Sequence, residues 1–213
     1  MGLLDRFRGS KKTTAILPTD IVVFIVGPSG SGKSRFMSIL LQNTNVHVRV
    51  SKGQNPGTTE VHAERCRFDG MQSDIVIVDT PSFYTYLDPD GEDVVKRWMD
   101  SNYTKPCKAA AVLYMHNLAF NAGDANLKVS KHLGAFRRAC RRNLIPSVYH
   151  VIPTLSYGAR LSNERIETSV TQLRGQANDE GAQFCSTSPA GKPFDGRPET
   201  AWDVVQGLLA SCI

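Results

Sequence analysis

Eight consecutive residues constrain this chain more than any other feature. Gly27-Pro28-Ser29-Gly30-Ser31-Gly32-Lys33-Ser34 satisfies the pattern GxxxxGK[ST] in full. It follows six apolar residues, 21–26, hydrophobic toward both faces, which predicts a central parallel strand covered on each side. A helix is expected from about Lys33, with Phe36, Ile39 and Leu40 on one face. The glycines let the backbone wrap closely around an anion, so that successive N–H groups and the positive helix end point at it. The whole loop, from Gly27 through Pro28, Ser29, Gly30, Ser31 and Gly32, is therefore a candidate phosphate cradle. Lys33 supplies an ammonium for the outer phosphates, and the Ser34 hydroxyl suits a magnesium position.

Two further segments fit the same chemistry. Residues 74–79 form an apolar strand that ends in a carboxylate, Asp79, followed by Thr80-Pro81. Ligands of an open parallel sheet sit beyond the carboxyl ends of its strands, so Asp79 is expected to face the crevice shared with Lys33 and Ser34 and to support magnesium. Between the two lies Pro56-Gly57-Thr58-Thr59-Glu60, rich in turn formers. A threonine there, Thr58 or Thr59, can close over a γ-phosphate and ligate magnesium.

The remaining pattern alternates strand and helix: a strand at 61–68, an Asp69-Gly70 turn into an antiparallel partner at 74–79, and then helix 92–99, strand 109–115, helix 127–142, strand 147–152, a helix capped by Ser162, a short strand at 183–185 and a final helix. This order predicts an α/β three-layer domain with a mainly parallel sheet and one antiparallel strand. Residues 1–18 read as a flexible appendage and 19–213 as the domain. No apolar run approaches the roughly 18 residues of a membrane span. Five scattered cysteines without a CxxC pair suggest neither zinc nor a disulfide framework, so a reduced, cytoplasmic setting is expected. The net charge is +5, and residues 127–142 carry six basic side chains and no acidic one. That helix is a candidate surface for an acidic partner or an anionic membrane, beside the simpler reading of a solvated face. No aromatic stacking pattern supports specific nucleic-acid recognition. Among the five histidines, His116 stands out because it follows a strand that should end near the crevice.

Taken together, GPSGSGKS, the threonine-bearing loop leading into a hairpin, and VDTP resemble the Ras-like G domain of the translation-factor-related GTPases. The DTP start is similar to septins and AIG1-type GTPases. The segment from Ala111 to Asn117, the basic helix after it and Val151-Ile152-Pro153-Thr154 resemble fungal AIG1/septin-like G-domain proteins. The resemblance implies bound GTP or GDP, Mg2+ and slow hydrolysis, with catalysis assisted by Lys33 and Thr58, and it admits a homodimer across the nucleotide face. Two departures qualify it. Ser82 stands where DxxG has a glycine whose N–H touches the γ-phosphate, so the resemblance leaves that contact to the Ser82 N–H, and Phe83 stands where a water-orienting glutamine is usual. The guanine-reading [NT]KxD is replaced by Pro153-Thr154-Leu155-Ser156, leaving Thr154 as the base-side candidate, while Ser186 is the candidate for the second base loop. A nucleotide-bound scaffold without turnover and a guanylate-kinase-like enzyme stay open as alternatives.

Overall fold

The computed structural model describes residues 15–43, 59–67, 71–84, 90–103, 105–140, 146–156, 158–185 and 193–212. Thr58, Ser186, Arg141, Arg142 and the Asp69-Gly70 turn lie outside the described residues.

The apolar hexapeptide forms β1 (Ile21–Val26), every residue of which is fully buried. Because side chains alternate across a strand, Val22, Phe24 and Val26 enter one core while Ile21, Val23 and Ile25 enter the other. Strand β1 pairs in parallel with β3 (Ile75–Asp79) on one side and with β4 (Ala109–Asn117) on the other. β2 (His62–Cys66) adds to β3 antiparallel, as the hairpin reading requires. β5 (Val148–Thr154) and β6 (Gln183–Phe184) continue the parallel side, giving the order β2-β3-β1-β4-β5-β6.

Helices cover both faces. On one, α1 (Lys33–Leu40) packs with α5 (Pro198–Ala210) over Ile21, Val23 and Ile25. On the other, α2 (Gly91–Asn102), α3 (Val129–Ala139) and α4 (Asn163–Asp179) pack over Val22, Phe24 and Val26. Phe24 anchors that second core, with its ring 5.1 Å from Phe136 and 6.4 Å, edge-on, from Trp98.

Three boundaries differ from the sequence reading. Ile16, placed in the appendage on composition, is 4% exposed and its N–H donates to the Asn102 carbonyl at 3.0 Å, so the packed domain reaches back past Pro18. Strand β5 runs two residues beyond Ile152, through a proline whose missing N–H did not stop the strand, and ends on Thr154. The basic helix is shorter than 127–142, starting at Val129 after a 3-10 turn and ending at Ala139. Its cations are also engaged: Arg137 pairs with Glu180 at 2.6 Å, Arg138 with Glu92 at 2.9 Å, and Lys131 lies 4.4 Å over the Tyr84 ring. Much of the charge counted as a docking face is thus used inside the domain. No helix among the described residues is long and apolar enough to cross a membrane.

Candidate functional site

Strand β1 is flanked by β3 on one side and by β4 on the other, so a crevice opens where β1 ends, and Gly27 begins there. A Cβ on Gly27 would sit 2.3 Å from the Met115 carbonyl oxygen of β4. Only glycine lets the loop turn that close to the neighbouring strand. Gly30 and Gly32 hold φ of 77° and 91°, the left-handed region, and Gly32 is the residue from which α1 starts.

The loop is tied down by residues from three strands. The Thr80 hydroxyl donates to the Ile25 carbonyl at 2.8 Å, locking the end of β3 to β1. Thr154, the last residue of β5, donates from Oγ1 to the Ser31 carbonyl at 2.9 Å. Asn117, the last residue of β4, donates from Nδ2 to the Gly30 carbonyl at 3.2 Å and to Ser156 Oγ. Thr154, expected on the base side of the site, also tethers the phosphate loop through this bond. The sequence reading gave Asn117 and Ser156 no role. The available signal was a polar residue closing an otherwise apolar strand.

The residues expected to act on phosphate and metal converge. Lys33 Nζ is buried and donates to the carbonyls of Gly27 at 2.9 Å and Pro28 at 3.2 Å and to Ser82 Oγ at 2.7 Å. Burial lowers its pKa to about 8, with the Asp79 carboxylate opposing the shift. Ser34 Oγ donates to Asp79 Oδ2 at 2.5 Å. Ser82 therefore enters the site through its hydroxyl, although the backbone N–H was the group anticipated. Thr59 is exposed and makes no hydrogen bond to Ser34 or Asp79 among the described residues. The His116 ring is stacked 6.1 Å from Tyr114 and edge-on to Phe120, with burial lowering its pKa to about 4. Phe83 is 2% exposed and belongs to the apolar core beneath α3. Its neighbour there is His132, whose Nε2 donates to the Asn126 carbonyl at 2.7 Å while the buried Nδ1 has no hydrogen-bond partner among the described residues.

Beside the phosphate loop lies a cavity of about 890 Å³, within the range of small-molecule sites. It is bounded by Gly30, Ser31 and Gly32 at the loop, by Leu155 and Ser156 after β5, and by the first turns of α4. Lys33, Ser34 and Asp79 do not line it. The site thus has a polar, cationic part suited to a phosphate chain and a roomy, mixed part suited to a nucleoside. Among the described residues no group of histidine, cysteine and acidic side chains forms a metal cluster of its own.

Comparison with known proteins gives the family and the fold. Residues 22–148 match the model of the 50S ribosome-binding GTPase family. A search of curated proteins finds no match. Among solved structures, a dimerization-deficient mutant of Toc33 from Arabidopsis thaliana has a TM-score of 0.54 at 14% identity, covering 89% of this chain and 83% of that one. A bacterial selenocysteine-specific elongation factor, EF-Sec, has a TM-score of 0.52 at 11% identity, covering 90% of this chain but 29% of its own length. At such identities the two structures speak for the fold, which is that of a P-loop GTPase. The family match extends over more than half of the chain and takes in both the phosphate loop and the β3 carboxylate, so this chain belongs to the 50S ribosome-binding GTPase family and is a GTP-binding G domain.

Proposed function

We propose that the protein is a nucleotide-dependent switch that binds GTP with magnesium and hydrolyses it slowly to GDP. The observation that carries this reading is the pairing of Ser34 with Asp79 at 2.5 Å beside the buried Lys33 ammonium. A hydroxyl and a carboxylate at the inner end of a phosphate loop are hard oxygen donors of the kind magnesium takes. Ser34 would hold the ion, with Asp79 beside it, and the ion would neutralise charge on the β- and γ-phosphates. The further kinship with AIG1- and septin-like proteins rests on the VDTP motif.

Switching follows from Ser82. Its hydroxyl takes up the Lys33 ammonium in this structure, and a γ-phosphate would compete for the same group. Ser82 is also packed against the start of α2, where a Cβ on Gly91 would lie 2.6 Å from the Ser82 carbonyl oxygen. Movement of Ser82 is thereby coupled to α2. Slow turnover follows from Phe83, which is buried and can neither orient water nor touch a phosphate. Unassisted hydrolysis is expected at roughly 10⁻⁴ to 10⁻² s⁻¹, as in switch GTPases that lack a partner's arginine. A second copy across the nucleotide face could supply the missing group, a reading helped by the likeness to Toc33, whose structure is described as a dimerization-deficient mutant.

The test is to denature the purified protein, identify the released nucleotide, and measure GDP affinity and GTP turnover with magnesium present and chelated. Chelation is expected to weaken nucleotide binding in the wild type and to have less effect in Ser34→Ala and Asp79→Ala. Equal sensitivity in all three would remove both residues from the metal. Retained nucleotide with no turnover at any protein concentration would favour the scaffold reading.

The Lys33 ammonium makes binding pH-dependent. Free Lys33 titrates at about 8, below its ordinary value, and a bound polyphosphate raises its pKa again. Between those two values the complex holds a proton that the free protein has lost, so affinity falls as pH rises through 8, by up to about tenfold per pH unit. Calorimetry in buffers of different ionisation enthalpy should show uptake of about half a proton at pH 8 and almost none at pH 6. Proton release on binding would reverse the sign and contradict the placement of Lys33.

A further inference from the structure

The loop after β5 offers no carboxylate to read a guanine edge, yet two acidic side chains line the nucleoside cavity from elsewhere, Glu167 and Asp195. They are not equivalent. Asp195 is already engaged, accepting from the Arg197 backbone N–H at 3.0 Å, from Arg197 Nε at 2.5 Å and from Thr200 Oγ1 at 3.2 Å. The Glu167 carboxylate has no hydrogen-bond or ion-pair partner among the described residues.

Glu167 is also held in place. It lies four residues after Asn163 on α4, and both line the cavity, as side chains four apart on one helical face must. The helix is fixed at its start by Ser162, which accepts from the Arg165 N–H at 3.3 Å, and along the side that adjoins Glu167 by buried Val170, Leu173 and Ala177. Gly30 to Gly32 mark the phosphate end of the cavity, so the base must lie farther along the lining, toward Leu155 and α4. Leu155 and Ile166 supply apolar walls for a flat ring.

The chemistry then selects the base. Guanine presents two adjacent donors, N1–H and N2–H, and one carboxylate accepts both. Adenine presents a bare N1 at that edge, which would face a carboxylate oxygen lone pair to lone pair. From this juxtaposition we infer that Glu167, delivered from α4 and not from the strand loop, is the carboxylate that selects guanine. The inference rests on the GTP-binding reading above.

Affinities for GDP, IDP and ADP measured on the wild type, Glu167→Gln and Asp195→Asn test it. IDP lacks the 2-amino group, so the wild type should prefer GDP over IDP and both over ADP. Glu167→Gln should lower GDP affinity by about 10- to 100-fold, the worth of one charge-assisted hydrogen bond, with ADP affinity unchanged within about twofold. Unchanged ADP binding also shows that the variant is folded. An unaltered GDP-to-ADP ratio in Glu167→Gln, or its loss in Asp195→Asn alone, overturns the assignment. A wild type that binds GDP and ADP equally overturns it too while leaving nucleotide binding intact. A wild type with no affinity for any of the three overturns the GTP-binding reading itself, and the role of Glu167 with it.

Discussion

Lys33→Ala is expected to lower GTP affinity by about 10²- to 10⁴-fold while leaving the melting temperature within a few degrees of the wild type. The loss is large because the ammonium is the charge placed at the outer phosphates, and a charge-assisted hydrogen bond is worth about 1.5–3 kcal/mol, with two of them at stake. The fold should tolerate the change because the hydrogen bonds of Lys33 Nζ among the described residues go to the Gly27 and Pro28 carbonyls and the Ser82 hydroxyl, all at the crevice and none in either core. Removing a buried cation whose pKa is already lowered to about 8 also relieves a desolvation penalty, which offsets part of the lost bonding. Calorimetric affinity and thermal unfolding on the same preparation separate the two effects. GTP affinity retained within about twofold would mean that the phosphates do not sit at Lys33.

The same contacts explain how one end of the site reaches the helices. Ser82 joins Lys33, Phe83 enters the core, and Tyr84 follows with φ 60°, a left-handed conformation that a bulky aromatic rarely adopts. Tyr84 is held there by Arg138, which donates to its hydroxyl at 2.6 Å, by Lys131 over its ring and by the edge of His132 at 5.9 Å. Arg138 in turn grips Glu92 in the first turn of α2. Three consecutive residues therefore connect Lys33 to α2 and α3. A strained residue kept in place by three side chains is suited to a segment with two arrangements.

What the sequence made legible was set by local rules. The Gly-rich loop, its flanking strand and helix, and the carboxylate ending β3 obey fixed spacings, and the structure has the strand, the loop and the helix in that order with Ser34 bonded to Asp79. The antiparallel β2–β3 pair was equally readable from its turn chemistry. Contacts between segments far apart in the chain were not readable. That Asn117 and Thr154 would both tether the loop depends on β4 and β5 ending at the same level of the sheet, which follows from strand register and not from either residue's neighbours. The pairing of Arg137 and Arg138 with Glu180 and Glu92 likewise joins residues more than forty positions apart, so a run of like charge in sequence read as an open basic face. Glu167 was passed over because helix α4 looks like an ordinary amphipathic helix until the cavity shows which of its exposed residues has an inner side.

Gly27→Ala should be the most damaging single substitution in the loop, and comparison with Gly30→Ala shows why. At Gly27 the added methyl would lie 2.3 Å from the Met115 carbonyl oxygen and 2.9 Å from Ser31 Oγ. The serine hydroxyl can rotate away. The carbonyl cannot, because Met115 is held in β4 opposite Ile152 of β5, and β4 is paired to β1 from Ala109 up to Tyr114, the residue before it. Relief requires parting β1 from β4 at the point where the loop begins, a distortion of the overpacking kind joined to backbone strain, together about 2–6 kcal/mol. For a chain of this size that lowers the melting temperature by roughly 4–24 °C. At Gly30 the methyl would meet only the Phe120 ring at 3.7 Å, an ordinary contact, so the cost is the left-handed backbone alone, about 1–2 kcal/mol. Thermal unfolding of both variants should therefore rank Gly27→Ala well below Gly30→Ala, and GTP affinity should follow that order, since the phosphate cradle starts from the β1–β4 junction. Equal melting temperatures for the two would show that the close approach of Gly27 to β4 does not limit stability, and that conformational freedom alone accounts for the glycines of this loop.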